Sequence, residues 1–255
     1  MNAAAIFSRR WITTTLLVVA GGAVCVRLGI WQLDRLAQRQ AFSEHVNATR
    51  ALPALGLPSG EALAAQEYRS VQARGAYDYE HQVALRNQAY EGQYGFHLLT
   101  PLLLEEGSDQ NHDEAIAVLV DRGWIPASGN EYPGDWRKYD AAAPIEVQGV
   151  IRLGQETPAL GGLTQRPSVA GQEEADFWLH VNVSVMSRQL PYAILPVYIQ
   201  LDGHQNSPNL PIAAPPALDL SEGPHWGYAM QWFGFTLILV IGYPIYVSKQ
   251  ESKTA

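Results

Sequence analysis

The sequence predicts a membrane protein in which two transmembrane helices, one near each end of the chain, flank a mostly antiparallel β (α+β) extracytoplasmic domain. Three observations predict this fold class. Residues 226–247 carry no formal charge, and 22 residues are enough for a helix to cross a bilayer core of about 30 Å. A second apolar run begins at Trp11. The mean hydropathy of −0.10 is too low for a polytopic membrane protein, so an ordinary domain must separate the two runs.

The first apolar run, residues 11–26, follows a short basic segment and allows three interpretations. In a cleaved signal peptide, residues 12–20 would form the apolar core. In a lipoprotein signal, Cys25 would be the modified residue, although the preceding Val24 is bulkier than such a signal requires. In the third interpretation the run is a membrane anchor that stays attached to the protein.

We favour the uncleaved anchor, with a transmembrane helix over residues 11–33. Apolar residues resume after Arg27, whose long side chain can reach the membrane interface, and they end at Trp31. A partial apolar face over residues 31–51 predicts that the same helix continues beyond the membrane.

The central part of the chain has short β-like runs separated by turn residues, which predicts an antiparallel sheet or barrel-like domain. Residues 105–114 predict a hairpin loop, and residues 184–190 a short helix. Residues 154–171 and 203–222 are rich in Pro and Gly and predict irregular connections. The predicted strands are 68–77, 81–87, 96–104, 115–124, 145–153, 177–183 and 197–201.

The second apolar run begins with aromatic residues that suit a membrane interface. Pro224 fits the first turn of a helix, so His225 is predicted at the helix mouth. His225, Tyr228, Trp232 and Phe235 are spaced by 3, 4 and 3 residues and therefore share one helix face.

Glycines on one face of each predicted membrane helix indicate that the two helices pack together. Gly22 and Gly29 share a face of the first helix, and Gly227 and Gly234 share a face of the second. Small residues let helix backbones approach closely in lipid.

Basic residues flank both apolar runs on the same side. Arg9 and Arg10 precede the first, while Lys249 and Lys253 follow the second, which places both termini in the cytoplasm or in a mitochondrial matrix. The predicted segments are a cytoplasmic N-terminus (1–10), the first transmembrane helix (11–33), the extracytoplasmic β-rich domain (34–223), the second transmembrane helix (224–247) and a cytoplasmic tail (248–255).

Composition and missing motifs exclude several functions. The net charge of −8, without a basic run, gives no electrostatic basis for binding nucleic acid. A single cysteine excludes an intrachain disulfide framework and a CxxC motif for redox or copper transfer. Hydrolase, metalloprotease, dinucleotide and P-loop motifs are absent, so we expect no catalytic residues and no enzyme activity. The scattered histidines are interpreted as surface or strand residues: His45, His81, His97, His112, His180 and His204.

Arg86 and Arg122 each end a strand-like run and allow two interpretations. A guanidinium can pair with a haem propionate or with an acidic loop of a partner. We favour a structural ion pair within the domain, for instance with Asp121 or Glu91.

Five segments occur in an order that closely resembles the Surfeit-locus (Surf-one, Shy) family of cytochrome c oxidase assembly factors. The resemblance covers most of residues 28–245. The segments are LGIWQLDR (28–35), VALRN (83–87), GFHLLTPL (95–102), VLVDRGWIP (118–126) and the helix entry with His225, Tyr228 and QWFG (231–234).

The resemblance implies a non-catalytic assembly factor of the bacterial inner membrane or the mitochondrial inner membrane. Such a factor assists haem a insertion into the large catalytic subunit of the haem–copper oxidase, or maturation of that subunit. Its partners would be this subunit, a haem a synthesis enzyme and the lipid bilayer. The alternative is a scaffold that stabilises an oxidase assembly intermediate without binding haem.

The resemblance also implies that the histidine before the second membrane helix, His225, ligates the haem iron. The positive end of a helix dipole favours the neutral imidazole, which is the form that binds iron. Tyr228 and Trp232 on the same face would provide an apolar wall for the porphyrin. The alternative is that His225 is an interfacial residue that makes a local hydrogen bond.

Overall fold

The computed structural model describes residues 6–57, 60–105, 115–155, 175–203, 210–213 and 218–254. The chain divides into two compact units. The helical unit comprises residues 1–46 and 218–255, and the barrel unit comprises residues 47–217. The predicted hairpin loop over 105–114 and most of the predicted connection over 154–171 lie outside the described residues.

Two long helices form the helical unit. Helix α1 spans Ile12–Arg50, so the predicted continuation of the first helix beyond residue 33 is confirmed. Helix α3 spans His225–Thr254 and begins directly after Pro224, where the sequence predicts its start. The helix continues past residue 247 into the polar tail.

The residues of α1 and α3 that are buried or half-buried recur every 3.5 residues. This is the period of helices that pack along a common seam with a slight left-handed supercoil. In α1 the seam residues are Thr15, Val18, Gly22, Cys25, Gly29 and Gln32; in α3 they are His225, Ala229, Trp232, Thr236, Leu239 and Tyr243.

Contacts along the seam show that α1 and α3 are antiparallel. Near the N-terminus of α1, the Thr15 hydroxyl lies 2.7 Å from the hydroxyl of Tyr243. A Cβ atom placed on Gly29 would lie 2.5 Å from the Phe233 ring, so this glycine is needed for the close approach. A Cβ placed on Gly22 would have no neighbour within 4 Å. Of these two glycines, only Gly29 is therefore required for close approach of the helices.

The outward faces of both helices are apolar. Exposed side chains include Leu17 and Val19 of α1, and Ile238 and Val240 of α3. Each helix contains an 18-residue stretch that is long and apolar enough to cross a membrane. Only 11% and 6% of the residues in these stretches are buried, whereas a core helix of a soluble protein is mostly buried.

The barrel unit contains eight strands in its described part and a short helix, α2 (Val183–Met186). Five strands, in the order β2–β6–β8–β5–β4, close into a barrel because β2 also pairs with β4. Pairing is antiparallel except for β1–β2, β3–β7 and β5–β8. The strands are β1 (Leu55–Gly56), β2 (Ser70–Tyr77), β3 (Val83–Tyr90), β4 (Gln93–Leu104), β5 (Ile116–Pro126), β6 (Ile145–Arg152), β7 (Phe177–Trp178) and β8 (Ala193–Leu201).

The barrel interior is filled by branched and aliphatic side chains from every strand of the closed ring. Buried residues of this core include Val71, Leu102, Val120, Val147 and Ile199. Strands β4 and β5 are buried on both faces, because two further apolar clusters cover the faces that point away from the interior. Both strands are therefore almost continuously apolar in sequence.

A bulge in β5 interrupts the pairing with β4. Asp121 pairs with Leu99 and Gly123 pairs with Leu98, so Arg122 is the extra residue. Gly123 has a φ angle of +116°, which side chains disfavour, and a Cβ there would lie 2.2 Å from the carbonyl oxygen of Ile212. At the bulge the neighbouring side chains have different partners: Asp121 contacts His97, and Arg122 contacts Gln82.

The prediction of a strand over residues 177–183 is wrong beyond Trp178. The strand β7 has two residues, and the alternating valines that follow belong partly to helix α2. The side chain of Asn182 accepts a hydrogen bond from the Val185 amide and thereby caps the helix. The predicted short helix over 184–190 corresponds to α2 and the 3₁₀ turn Ser187–Gln189.

Candidate functional site

His225 is the first residue of α3, and local backbone geometry fixes it there. Gly223 has a φ angle of +68°, which turns the chain into Pro224 and the helix. The Tyr228 amide donates to the Pro224 carbonyl at 3.2 Å and so closes the first turn. The imidazole lies close to Gly223, because a Cβ on that glycine would be 3.5 Å from Nε2 of His225.

The His225 ring makes one hydrogen bond, to α1. Its Nδ1 lies 2.8 Å from Oε1 of Gln32. A carbonyl oxygen can only accept, so Nδ1 carries the proton in this bond. Among the described residues Nε2 has no hydrogen-bond partner, and in the neutral ring it keeps a free lone pair.

Tyr228 and Trp232 follow on the next two turns of α3. Tyr228 is 49% exposed, whereas Trp232 is half-buried beside α1 and packs edge-on against Phe235 at 5.9 Å between ring centroids. The structure gives neither residue a hydrogen bond or ring contact to His225 within the part of the chain that it describes. The three side chains therefore border one stretch of helix surface and form no enclosed pocket of their own.

The surroundings of His225 fit a haem that would be held through this one histidine. A metal-binding histidine typically donates its second ring N–H to a carbonyl or carboxylate, which fixes the tautomer and the ring orientation. Gln32 supplies this acceptor. Among the described residues, no group of three or more His, Cys, Asp or Glu side chains could hold a metal ion by themselves.

Arg86 and Arg122 are structural residues, but not through the suggested carboxylates. The Arg86 guanidinium stacks over the Phe177 ring at 4.3 Å from its centroid. Arg122 donates to Oε1 of Gln82 at 2.8 Å and to the carbonyl of Tyr139. The adjacent Asp121 pairs with His97 instead.

Sequence analysis missed a buried ion pair that lies between β4 and β5. His97 Nδ1 is 3.0 Å from both carboxylate oxygens of Asp121, and the Gly123 amide donates to the same carboxylate at 3.0 Å. The two side chains are only 8% and 5% exposed. Each residue interrupts an apolar strand run, and such isolated polar residues were the sequence signal for a paired site.

Burial lowers the pKa of the His97 imidazole, but the charge of Asp121 and the hydrogen bond to it outweigh burial. The pKa of His97 therefore lies above its ordinary value. The ring carries a positive charge over more of the neutral pH range than a free histidine does.

Comparison with known proteins agrees with the resemblance seen in the sequence. The SURF1 family model matches residues 19–237, well over half of the chain. Surfeit locus protein 1 of Arabidopsis thaliana is 25% identical over 271 residues, covering 87% of this chain and 74% of the relative. A SURF1-like protein of Rickettsia felis is 26% identical over 238 residues, covering 91% of this chain and 96% of the relative. A SURF1-like protein of Caenorhabditis briggsae is 22% identical, covering 91% and 74%. The chain therefore belongs to the SURF1 family.

Proposed function

We propose that this protein is a membrane-anchored assembly factor for haem–copper cytochrome c oxidase that assists haem a insertion into the large catalytic subunit. It acts without a catalytic step of its own. The oxidase role rests on family membership. The haem role rests on one observation, the hydrogen bond between His225 Nδ1 and Gln32 Oε1, which leaves Nε2 available as an iron ligand.

In this proposal haem a is cargo, and the chain supplies a holding site at the start of α3. His225 binds the iron, and Gln32 keeps the imidazole in the orientation and tautomer that ligation requires. Tyr228 and Trp232 offer aromatic surface to the porphyrin. Because the site is open and has a single ligand, release to the partner subunit needs only one bond to iron to break.

The membrane placement is part of the same proposal. The low burial of α1 and α3 argues against core helices, and a cleaved signal would not explain α3. The basic residues before α1 and at the end of α3 support a topology with both termini on the cytoplasmic or matrix side and the barrel unit on the other side. Since α1 packs along α3, we infer that α1 is retained.

Reporter fusions test this topology. A reporter at the C-terminus and one inserted in residues 106–114 should lie on opposite sides of the membrane. A fusion after residue 203 provides a second point on the barrel side. If the C-terminal and barrel reporters lie on the same side, α3 does not cross the membrane and the two-span topology is wrong.

A scaffold that holds an assembly intermediate without haem is the second candidate. The same hydrogen bond favours it in one respect, because the His225–Gln32 contact by itself is a sufficient structural role for the histidine. In that case the family's oxidase function would depend on the barrel unit alone, and His225 could be replaced without loss of any cofactor.

Substitution of His225 separates the two candidates. The protein is produced with haem a synthesis enzymes, purified in detergent and examined by absorption spectroscopy. We expect His225→Ala to lose most of the bound haem at an unchanged membrane level, and Gln32→Ala to weaken haem binding about 10-fold or more. His45→Ala is the matched control, because His45 is an exposed histidine of α1, the helix that carries Gln32. Unchanged haem content in His225→Ala would eliminate this ligand and favour the scaffold.

A further inference from the structure

A polar cavity of about 310 Å³ lies on the outer face of the barrel, across strands β4, β5, β8 and β6. All the residues that line it belong to the barrel unit. Its volume is in the range of small-molecule sites. Polar side chains that line it are His97, Asp121, Arg152, His180, Tyr198 and Gln200.

His97 presents an unused donor to this cavity. Its side chain is 8% exposed, and Nδ1 is taken by Asp121. Nε2 has no hydrogen-bond partner among the described residues. A buried imidazolium has two N–H donors. Leaving the second donor without an acceptor costs folding free energy, unless a bound group accepts its proton.

Arg152 presents a second unused donor. Its Nη1 donates to Oε1 of Gln200 at 3.2 Å, and its guanidinium stacks over the Tyr68 ring at 5.1 Å. Its Nε is buried without a hydrogen-bond partner, and the nearest oxygen of Glu67 is 3.5 Å away, which is an ion-pair distance but not a hydrogen bond. These contacts hold the guanidinium in place and leave part of its donor fork free.

We propose that this cavity binds a small organic carboxylate through the Nε2–H of His97 and the guanidinium of Arg152. A planar carboxylate matches the fork of donors that a guanidinium presents. Apolar side chains such as Leu85 and Val181 line the rest of the cavity and would contact the organic part of the ligand.

The charges around the cavity favour a single negative charge on the ligand. His97 and Arg152 are opposed by Asp121 within the cavity and by Glu67 beside Arg152. Because these charges nearly balance, the cavity has little net positive charge with which to stabilise the second negative charge of a phosphate dianion. Burial raises the pKa of Tyr198 to about 12, so its hydroxyl keeps its proton and adds a neutral donor.

Carboxylate binding in this cavity should depend on pH through His97. Because the pKa of His97 is raised, the ring remains a charged Nε2–H donor to higher pH than a free histidine does, and this donor is lost as pH rises through the pKa of His97 in the folded protein. The other titratable groups that face it are Asp121, Arg152, Tyr198 and His180. We assign the loss of affinity to His97, and substitution of His180 tests this assignment.

Fluorine NMR of the full-length protein in detergent tests the proposal with 4-fluorobenzoate as probe. We expect saturable binding at or below about 10 mM, at least tenfold weaker binding of the neutral 4-fluorobenzamide, and weaker binding from about pH 6 to about pH 9. Arg152→Gln should weaken benzoate binding about tenfold or more. Arg137→Gln, on an exposed 3₁₀ turn of the same unit, should not change it. His180→Asn should preserve the pH dependence if His97 is its origin.

Equal binding of benzoate and benzamide, or an unchanged affinity in Arg152→Gln, would overturn the proposal. Competition by inorganic phosphate that exceeds competition by acetate would also overturn it, in favour of a phosphate site. His97→Asn leaves Asp121 buried without its main partner and can fail to fold, so Arg152→Gln decides the outcome. Because neither Arg152 nor His97 lies in the helical unit, the haem content of these variants separates a failure here from a failure of the haem proposal.

Discussion

The helical unit and the barrel unit distribute apolar residues in opposite ways. In the barrel unit, side chains such as Val71 and Leu102 are fully buried in a closed ring of strands. In the helical unit many apolar side chains, such as Leu17 and Ile238, point outward and are 70% and 66% exposed. On α1 the seam is built mostly from small and polar residues, among them Gly29 and Thr15.

This difference indicates that two different forces hold the units together. The barrel is stabilised by removal of apolar surface from water, which scales with buried area. In the proposed membrane placement no such force acts between the helices, because lipid is as apolar as their side chains, so close contact and hydrogen bonds must replace it. The Thr15–Tyr243 hydrogen bond and the hydrogen bond from Trp11 Nε1 to Glu251 at 2.8 Å fit this account.

The comparison predicts its largest effect in the barrel core. Leu102 is fully buried between β2 and β5, so Leu102→Ala leaves a cavity and should destabilise the barrel by about 3 kcal/mol. Tryptophan fluorescence during urea unfolding of the detergent-purified protein measures this, because Trp136 and Trp178 are buried in the barrel unit.

Leu52→Ala is the matched control for this prediction. Leu52 belongs to the barrel unit and is 47% exposed, so the same substitution should change stability by less than about 0.5 kcal/mol. Similar effects of the two substitutions would contradict the view that buried apolar area holds this unit together.

Patterns that depend on one segment were readable from the sequence. The charge-free run predicted α3, and the partial apolar face beyond Trp31 predicted the full length of α1. Six of the seven predicted strands correspond to observed strands, because alternation and turn residues act locally. The seventh failed beyond Trp178, since a local cap on Asn182 outweighed the alternating valines.

Features that join distant segments were not readable in the same way. The closure of the barrel depends on pairing between Gly75–Tyr77 of β2 and Leu102–Leu104 of β4, which no local pattern encodes. The partners of His225 and His97 lie 193 and 24 residues away. The sequence indicated His225 only through the family resemblance, and it gave no partner for His97.

A smaller effect is expected at the helix seam, where two glycines in the same helix have different surroundings. A methyl group added at Gly29 would lie 2.5 and 2.7 Å from two atoms of the Phe233 ring, whereas one added at Gly22 would meet nothing within 4 Å. Gly29→Ala should therefore destabilise the helix pair by about 1–2 kcal/mol. Gly22→Ala should be neutral or slightly stabilising, because alanine favours helix more than glycine does.

Cys25 provides the measurement for this pair of variants. It is the only cysteine, and it lies half-buried on the seam between the two glycines, so its rate of reaction with a maleimide reports how often the helices separate. A loss of 1–2 kcal/mol corresponds to a roughly 5- to 30-fold faster reaction in Gly29→Ala. Adding Phe233→Leu to Gly29→Ala removes the ring that the new methyl group meets and should slow the reaction again. Equal rates in Gly29→Ala and Gly22→Ala would show that close approach at Gly29 does not hold the helices together, and the seam would then depend on its polar contacts near Thr15 and Gln32.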